Sequence, residues 1–425
     1  MPALQQLQER QPSRPSSEVR PGDAPLVHGP EHALDRGALE ALARIRRRSQ
    51  LAQSPVFHQH QAEVSRVLNG FSWDLRDLRA PLTSESSATA IAWNAERGAA
   101  FAPLLGCLQE HPKLAATDLI LLTEVDIGMG RSYNRDVPRE LAAALGMGYV
   151  FANNHILLSP GDASEQDHGR PNTLALHGCA LLTRYPIRRF CGVSLPEYRD
   201  KFHVVEKRLG SKRALLAEVM LPCGPTTVVV AHLDPFCPPT HRGRQIQILA
   251  DALAQFGGQR VLLGGDLNTN TYNLGSMLGL LGNFSHKLTR FGFDRAVAQY
   301  MTPGEYYERP VFSALSRNNF VLDGFNDLQR GTLYYRGNNP KYAKLTKGNM
   351  PRGGVVWHRI RKWIDRRLEA YGGAVPMRLD WFAGRGLEPL RAEVIDQPRH
   401  AGQEASDHNP IVVEVAAKPD RVSPT

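Results

Sequence analysis

Paired cysteines are missing from this chain. The five cysteines (Cys107, Cys179, Cys191, Cys223 and Cys237) form no C-x-x-C spacing and leave one over. Neither a disulfide framework nor a zinc cage is expected from them. No apolar run approaches membrane-spanning length, so no transmembrane segment is read. Residues 1–20 hold Gln, Arg, Pro and Ser without an apolar stretch, and no signal peptide is read there. The chain has no internal repeat, and nothing in it calls for an obligate protein partner. A reduced cytoplasm is the default compartment under these absences.

What is present fits a globular enzyme. The 425 residues suffice for one large domain with additions, and 42% of them are hydrophobic. Lys plus Arg number 51 against 42 Asp plus Glu, a formal charge of +9. This balance favours an anionic partner: nucleic acid, a phosphorylated metabolite or a membrane surface. A mildly basic soluble enzyme has the same balance.

The informative stretch is Val261–Asn268, Val-Leu-Leu-Gly-Gly-Asp-Leu-Asn. Its short apolar run, bounded by glycine, reads as a buried strand. Asp266 and Asn268 are two apart and share a face in an extended chain. The pattern recurs. Apolar runs end in Asn94, in Glu124 and Asp126, and in His232 and Asp234; Asp380 opens another run, and Asp407-His408 leads into Ile411–Val415. One polar strand end is an ordinary turn exit. Six that supply only carboxylates, amides and histidines read as strands delivering ligands to a common edge.

The ordered series Trp93-Asn94, Thr123-Glu124, Ala231-His232-Leu233, Gly264-Gly265-Asp266-Leu267-Asn268, Leu379-Asp380-Trp381 and Ser406-Asp407-His408 resembles the endonuclease/exonuclease/phosphatase superfamily. These are DNase I-like, metal-dependent phosphoesterases. The resemblance implies an α/β fold, a four-layer α/β sandwich of two packed mixed β-sheets flanked by helices, with the site at one rim. It implies a catalytic domain over 88–417, preceded by a polar arm with a helix, 1–87, partly disordered, and followed by a tail, 418–425. A long insertion, about 270–376, precedes the last strands.

The same resemblance assigns roles. Glu124 is the primary ligand for Mg²⁺ (or Mn²⁺), supported by Asn94 and Asp407; such hard cations prefer oxygen donors. His232, Asp266, Asn268, Asp380 and His408 are the catalytic set. Asp266 aligns or deprotonates the attacking water, Asn268 and His232 donate to oxygens, and Asp380 holds His408. Either Asp266 or His408 can be the general base. Arg131, in the glycine-bearing loop after Glu124, and Arg242, on an amphipathic helix over Thr240–Phe256, are candidate substrate contacts. Gly178–Pro186 resembles a family stretch that usually has Asn where Cys179 stands. His168, His177 and His241 stay unassigned.

The implied activity is hydrolysis of phosphoester bonds by a phosphodiesterase or nuclease. A phosphomonoesterase or lipid-headgroup hydrolase is the alternative, and a non-catalytic binding module would need a missing ligand. In the insertion, Tyr306-Tyr307 and Tyr334-Tyr335 accompany Arg359, Lys362 and Arg366. Aromatic pairs beside cations suit single-stranded nucleic acid. Trp357, Ile360, Trp363, Ile364 and Leu368 fall at helical spacing and read as a packed cover.

Overall fold

Strand alternation builds the layers. In the segment Ser87–Arg97, Ala90 and Ala92 pack toward one side and Ile91 and Trp93 toward the other, and all four are buried. A strand buried on both faces needs a layer on each side. The computed structural model describes residues 18–418 apart from 77, 81–85, 166–167, 271–276, 337–361 and 364–365.

The strands of the first half are β1 (Val27–His28), β2 (Phe71–Asp74), β3 (Ser87–Arg97), β4 (Leu119–Ile127), β5 (Gly148–Leu157), β6 (Leu176–Thr183), β7 (Ile187–Ser194) and β8 (Arg208–Gly210). Those of the second are β9 (Arg213–Leu221), β10 (Gly224–Val230), β11 (Val261–Asp266), β12 (Leu333–Arg336), β13 (Ala374–Met377), β14 (Asp380–Arg385), β15 (Leu387–Val394), β16 (Arg399–His400), β17 (Gln403–Glu404) and β18 (Ile411–Ala417). A nine-stranded sheet has the order β1-β2-β5-β6-β4-β3-β18-β15, with β8 added to β5. A five-stranded sheet has the order β14-β11-β10-β9-β7.

Both sheets are mixed. The pairs β3·β4 and β10·β11 are parallel, and each needs a crossover. The helices Phe101–Glu110 and Pro239–Phe256 provide these crossovers. Between the sheets lie Leu121, Val150 and Leu181 from one and Leu215, Val228, Leu262 and Phe382 from the other. Outside the larger sheet, Ile120 and Leu122 pack with Leu39, Phe57, Leu104 and Leu141. Outside the smaller, Val229 and Leu263 pack with Ile246, Leu249 and Leu253. The result is four layers: helices, sheet, sheet, helices.

Strand direction decides where the site sits. The carboxyl ends of β3, β4, β10 and β11 point to one rim. The strands β14 and β18 run antiparallel to β11 and β3, so their amino ends arrive at that same rim, with Asp380 opposite Asp266 and Ile411 opposite Ala92.

The first sheet begins well before Ala88, which corrects the arm boundary expected there. β2 pairs along β5, Phe71 and Trp73 each meet Phe190 edge-on at 5.3 Å, and Leu34, Leu39, Phe57 and Val64 join the outer core. The insertion is partly structural as well. Its helix Arg309–Arg317 packs Val311, Ala314 and Leu315 against the Pro239–Phe256 helix side of the smaller sheet. Of the expected apolar stripe, Leu368 is buried, but Trp363 is 41% exposed, edge-on to Phe293. Lys362 and Arg366 are exposed. Trp357, Arg359, Ile360 and Ile364 lie outside the described residues.

Candidate active site

Glu124 interrupts its own strand. The β4·β6 register shifts between Leu122 and Val125, and Glu124 has a φ of 52°. A side-chain-bearing residue in this left-handed region costs about 1–2 kcal/mol. The bulge turns one carboxylate out of the alternation and into the rim. There its Oε1 lies 3.8 Å from His232 Nε2, and its Oε2 lies 3.7 Å from the Arg97 guanidinium. Burial pushes the Glu124 carboxyl pKa up, but the charge of Arg97 first, and that of Lys212, outweigh it and hold it well below the usual range.

Asp266 ends β11 and is gripped on both oxygens. Its Oδ1 accepts the Asn268 backbone N–H at 2.8 Å, and its Oδ2 accepts from Asn94 Nδ2 at 3.2 Å. His232 Nε2 stands 3.6 Å from the same Oδ2. Burial, then the neighbouring Asp380 charge, raises this carboxyl to about 7. Asn268, at φ 50°, donates Nδ2 to the Leu233 carbonyl at 3.0 Å. His232 is pushed well below the usual imidazole range by burial and then by Lys212, so it is neutral at pH 7.

His408 Nδ1 lies 2.8 Å from Asp380 Oδ2, and both side chains are buried. Burial lowers the imidazole pKa, but the Asp380 charge outweighs it, with help from Asp266 and Asp407, and raises it well above the usual value. Asp380 Oδ1 is buried with no hydrogen-bond partner among the described residues. The pair is braced by residues without catalytic chemistry of their own. Trp93 Nε1 donates to the His408 carbonyl at 2.8 Å, and Thr332 Oγ1 accepts from the Leu379 and Asp380 N–H groups at 2.9 and 3.1 Å.

One potential donor atom each from Asp266, Asp380 and His408 lies within 4.8 Å of the other two. This cluster is not the Glu124, Asn94 and Asp407 set read from the motifs. Asp407 is half-buried at the rim, its N–H donating to Glu96 Oε2 at 2.9 Å.

Two expected substrate contacts are corrected. Arg131 has a 2% exposed side chain and is committed to acids: Nε to Asp126 at 2.7 Å and Nη1 to Glu165 and Glu206 at 3.0 and 2.7 Å. Arg242 is fully buried against Glu308 at 2.5 Å and donates to the Asp234 and Cys237 carbonyls. Both hold loops in place instead of facing a ligand. Arg97, His177, Lys212 and Thr332 reach the site or its frame without belonging to a polar strand-end motif.

The family model described as the Endonuclease/Exonuclease/phosphatase family matches residues 91–408. The chain belongs to that family, whose members are generally phosphoester hydrolases and typically use divalent metals. The solved structures to which the chain is similar are distant. The human Nocturnin catalytic domain with bound sulfate is 14% identical at a TM-score of 0.39, covering 83% of this chain and 98% of that one. D. rerio TDP2 complexed with a single-strand DNA product is 11% identical at 0.39, covering 78% and 100%. A functionally unknown Enterococcus faecalis protein is 13% identical at 0.41, covering 78% and 100%. No curated protein matches the chain. No described helix is long and apolar enough to cross a membrane.

Proposed function

We propose that this chain is a divalent-metal-dependent phosphodiesterase or nuclease. The observation that supports it most is the convergence, at one rim, of a cationic His408–Asp380 pair, an Asp266 poised near 7, and Glu124 beside a neutral His232. The donor set suits a hard cation: Glu124 and Asp407 offer carboxylate oxygens, Asn94 an amide oxygen, and Glu124 stays ionised. Glu124, Asn94 and Asp407 would hold Mg²⁺ (or Mn²⁺). When bound, the ion neutralises charge on a phosphoryl oxygen.

The chain's own groups do the rest. Burial and the Asp380 charge raise the Asp266 carboxyl, which makes its carboxylate a stronger base toward water. Asn94 and the Asn268 N–H fix the orientation of that carboxylate. His408, already protonated, has no free lone pair to act as base and serves as a cationic donor to a phosphoryl oxygen. His232 donates a neutral N–H to the departing side. The +9 formal charge favours a polyanionic substrate, and nucleic acid is the partner proposed.

The test is a metal-supplemented screen with DNA, RNA, phosphoinositides, sphingomyelin and small phosphate esters. Nucleic-acid cleavage with Mg²⁺ or Mn²⁺, lost by about 10³-fold in Glu124→Gln, is the expected result. Turnover of monoesters or lipid headgroups alone, or a Glu124→Gln variant active at low Mg²⁺, would refute the assignment.

A further inference from the structure

Lys212 is a buried cation that the scheme above does not use. It is 4% exposed, and its ammonium forms no hydrogen bond or ion pair with a described residue. Three other buried cations among the described residues have direct partners. Arg131 has three carboxylates, Arg242 has Glu308, and Arg213 donates to the Leu68, Gly70 and Asn153 carbonyls. A mostly buried ammonium without such partners is placed to take an anionic ligand.

Its place in the fold is at the rim. Lys212 lies between β8, which pairs with β5 of the larger sheet, and β9, which pairs with β10 of the smaller. Leu195 N–H donates to its carbonyl at 2.8 Å. The β9·β10 register sets Val230 opposite Leu215. Continued for two residues, it brings His232 level with Arg213, next to Lys212. The Lys212 charge accordingly acts on both His232 and Glu124.

A second open group lies nearby. Asn154 is 2% exposed, its Nδ2 donates to Cys179 Sγ at 3.7 Å, and its Oδ1 is buried without a partner among the described residues. The neighbouring His155 is opposite Gly210, two residues before Lys212.

The geometry points to Lys212 as a specificity-determining contact for a second anionic group of the substrate, a phosphate adjacent to the scissile one. The assignment rests on the phosphoesterase reading above. A cation on Glu124 would take the one carboxylate whose charge Lys212 feels most, and a substrate phosphate restores the balance. A polynucleotide carries such a phosphate at every step.

The probes are p-nitrophenyl esters of thymidine 5′-phosphate and of thymidine 3′-phosphate, each with and without a phosphate on the other sugar hydroxyl. One charge-assisted contact is worth about 1.5–3 kcal/mol, roughly a 10- to 100-fold preference in kcat/KM for the doubly phosphorylated ester in one regiochemistry. Lys212→Met and Lys212→Gln should each erase that preference, mainly through KM, and Lys212→Arg should retain most of it. Either neutral variant carries the test where the other fails to fold. A wild type without preference, a neutral variant that keeps it, or equal losses on both esters would overturn the assignment; equal losses place Lys212 at the scissile phosphate. If the wild type cleaves no phosphoester of the broader screen, the catalytic reading fails first, and this inference falls with it.

Discussion

At the residue scale, the Asp380–His408 contact makes a sharp demand on kinetics. A buried carboxylate at 2.8 Å from Nδ1 selects the tautomer and holds the charge on the ring. Asp380→Asn keeps the shape and removes that charge. Turnover should fall by about 10²–10³-fold with Mg²⁺ affinity nearly unchanged. His408→Ala should lose a similar amount, and the double variant little more, because residues acting as one unit are not additive. A double-mutant cycle on kcat, with metal affinity measured in parallel, decides it; fully additive losses would mean the two act separately. The chemistry of this pair was visible in the motifs. The braces around it were not, because Trp93 and Thr332 act through one N–H and one hydroxyl that no local pattern announces.

At the element scale, two loops are held by internal charges. Arg242 and Glu308 tie the helix Pro239–Phe256 to the insertion through a pair with 0% exposed side chains. Arg242→Met strands a buried carboxylate and should cost about 3–5 kcal/mol in denaturant unfolding. Arg242→Met with Glu308→Leu should recover most of the loss, and a double variant no better than the single would contradict the pairing. The helix Val137–Leu145 shows the opposite electrostatics. Its N-cap Asp136 accepts from Arg139 N–H at 3.3 Å, yet burial raises the carboxyl from 3.8 to about 6. The folded state therefore binds more protons than the unfolded state between these values, and stability falls as pH rises through that window. Asp136→Asn keeps an equally good cap without the charge. It should stabilise by about 1–2 kcal/mol at pH 7 and flatten the slope from pH 4 to 6, as read from melts across that range. An unchanged slope would exclude Asp136 as its source.

At the scale of the whole molecule, the N-terminal segment belongs to the sandwich. It adds β1 and β2 to the larger sheet, and its chain supplies the Leu68, Asn69 and Gly70 carbonyls that hold the buried Arg213 guanidinium. Removing residues 1–86 would strip these acceptors and uncover Phe190. The truncated chain should show no cooperative thermal transition, and a melt matching the full-length protein would refute this role. Such a segment is hard to read in sequence. β1 and β2 have 2 and 4 residues, too short for periodicity to register.

By itself, the sequence determined the ordered strand ends, their ligand chemistry and the helix over Thr240–Phe256, while the layered α/β sandwich came from the family resemblance these strand ends carry. These follow from local causes: alternation of apolar residues, glycines at strand exits, and helical spacing between strands. Only the tertiary structure decided that Arg131 and Arg242 turn inward, that Glu124 enters the rim through a bulge, and that Lys212 stands beside His232. Each depends on which strand lies next to which, and the two arginines on the fact that a buried cation goes where carboxylates or carbonyls can satisfy it. Those partners lie far along the chain, as Arg242 and Glu308 do, 66 residues apart.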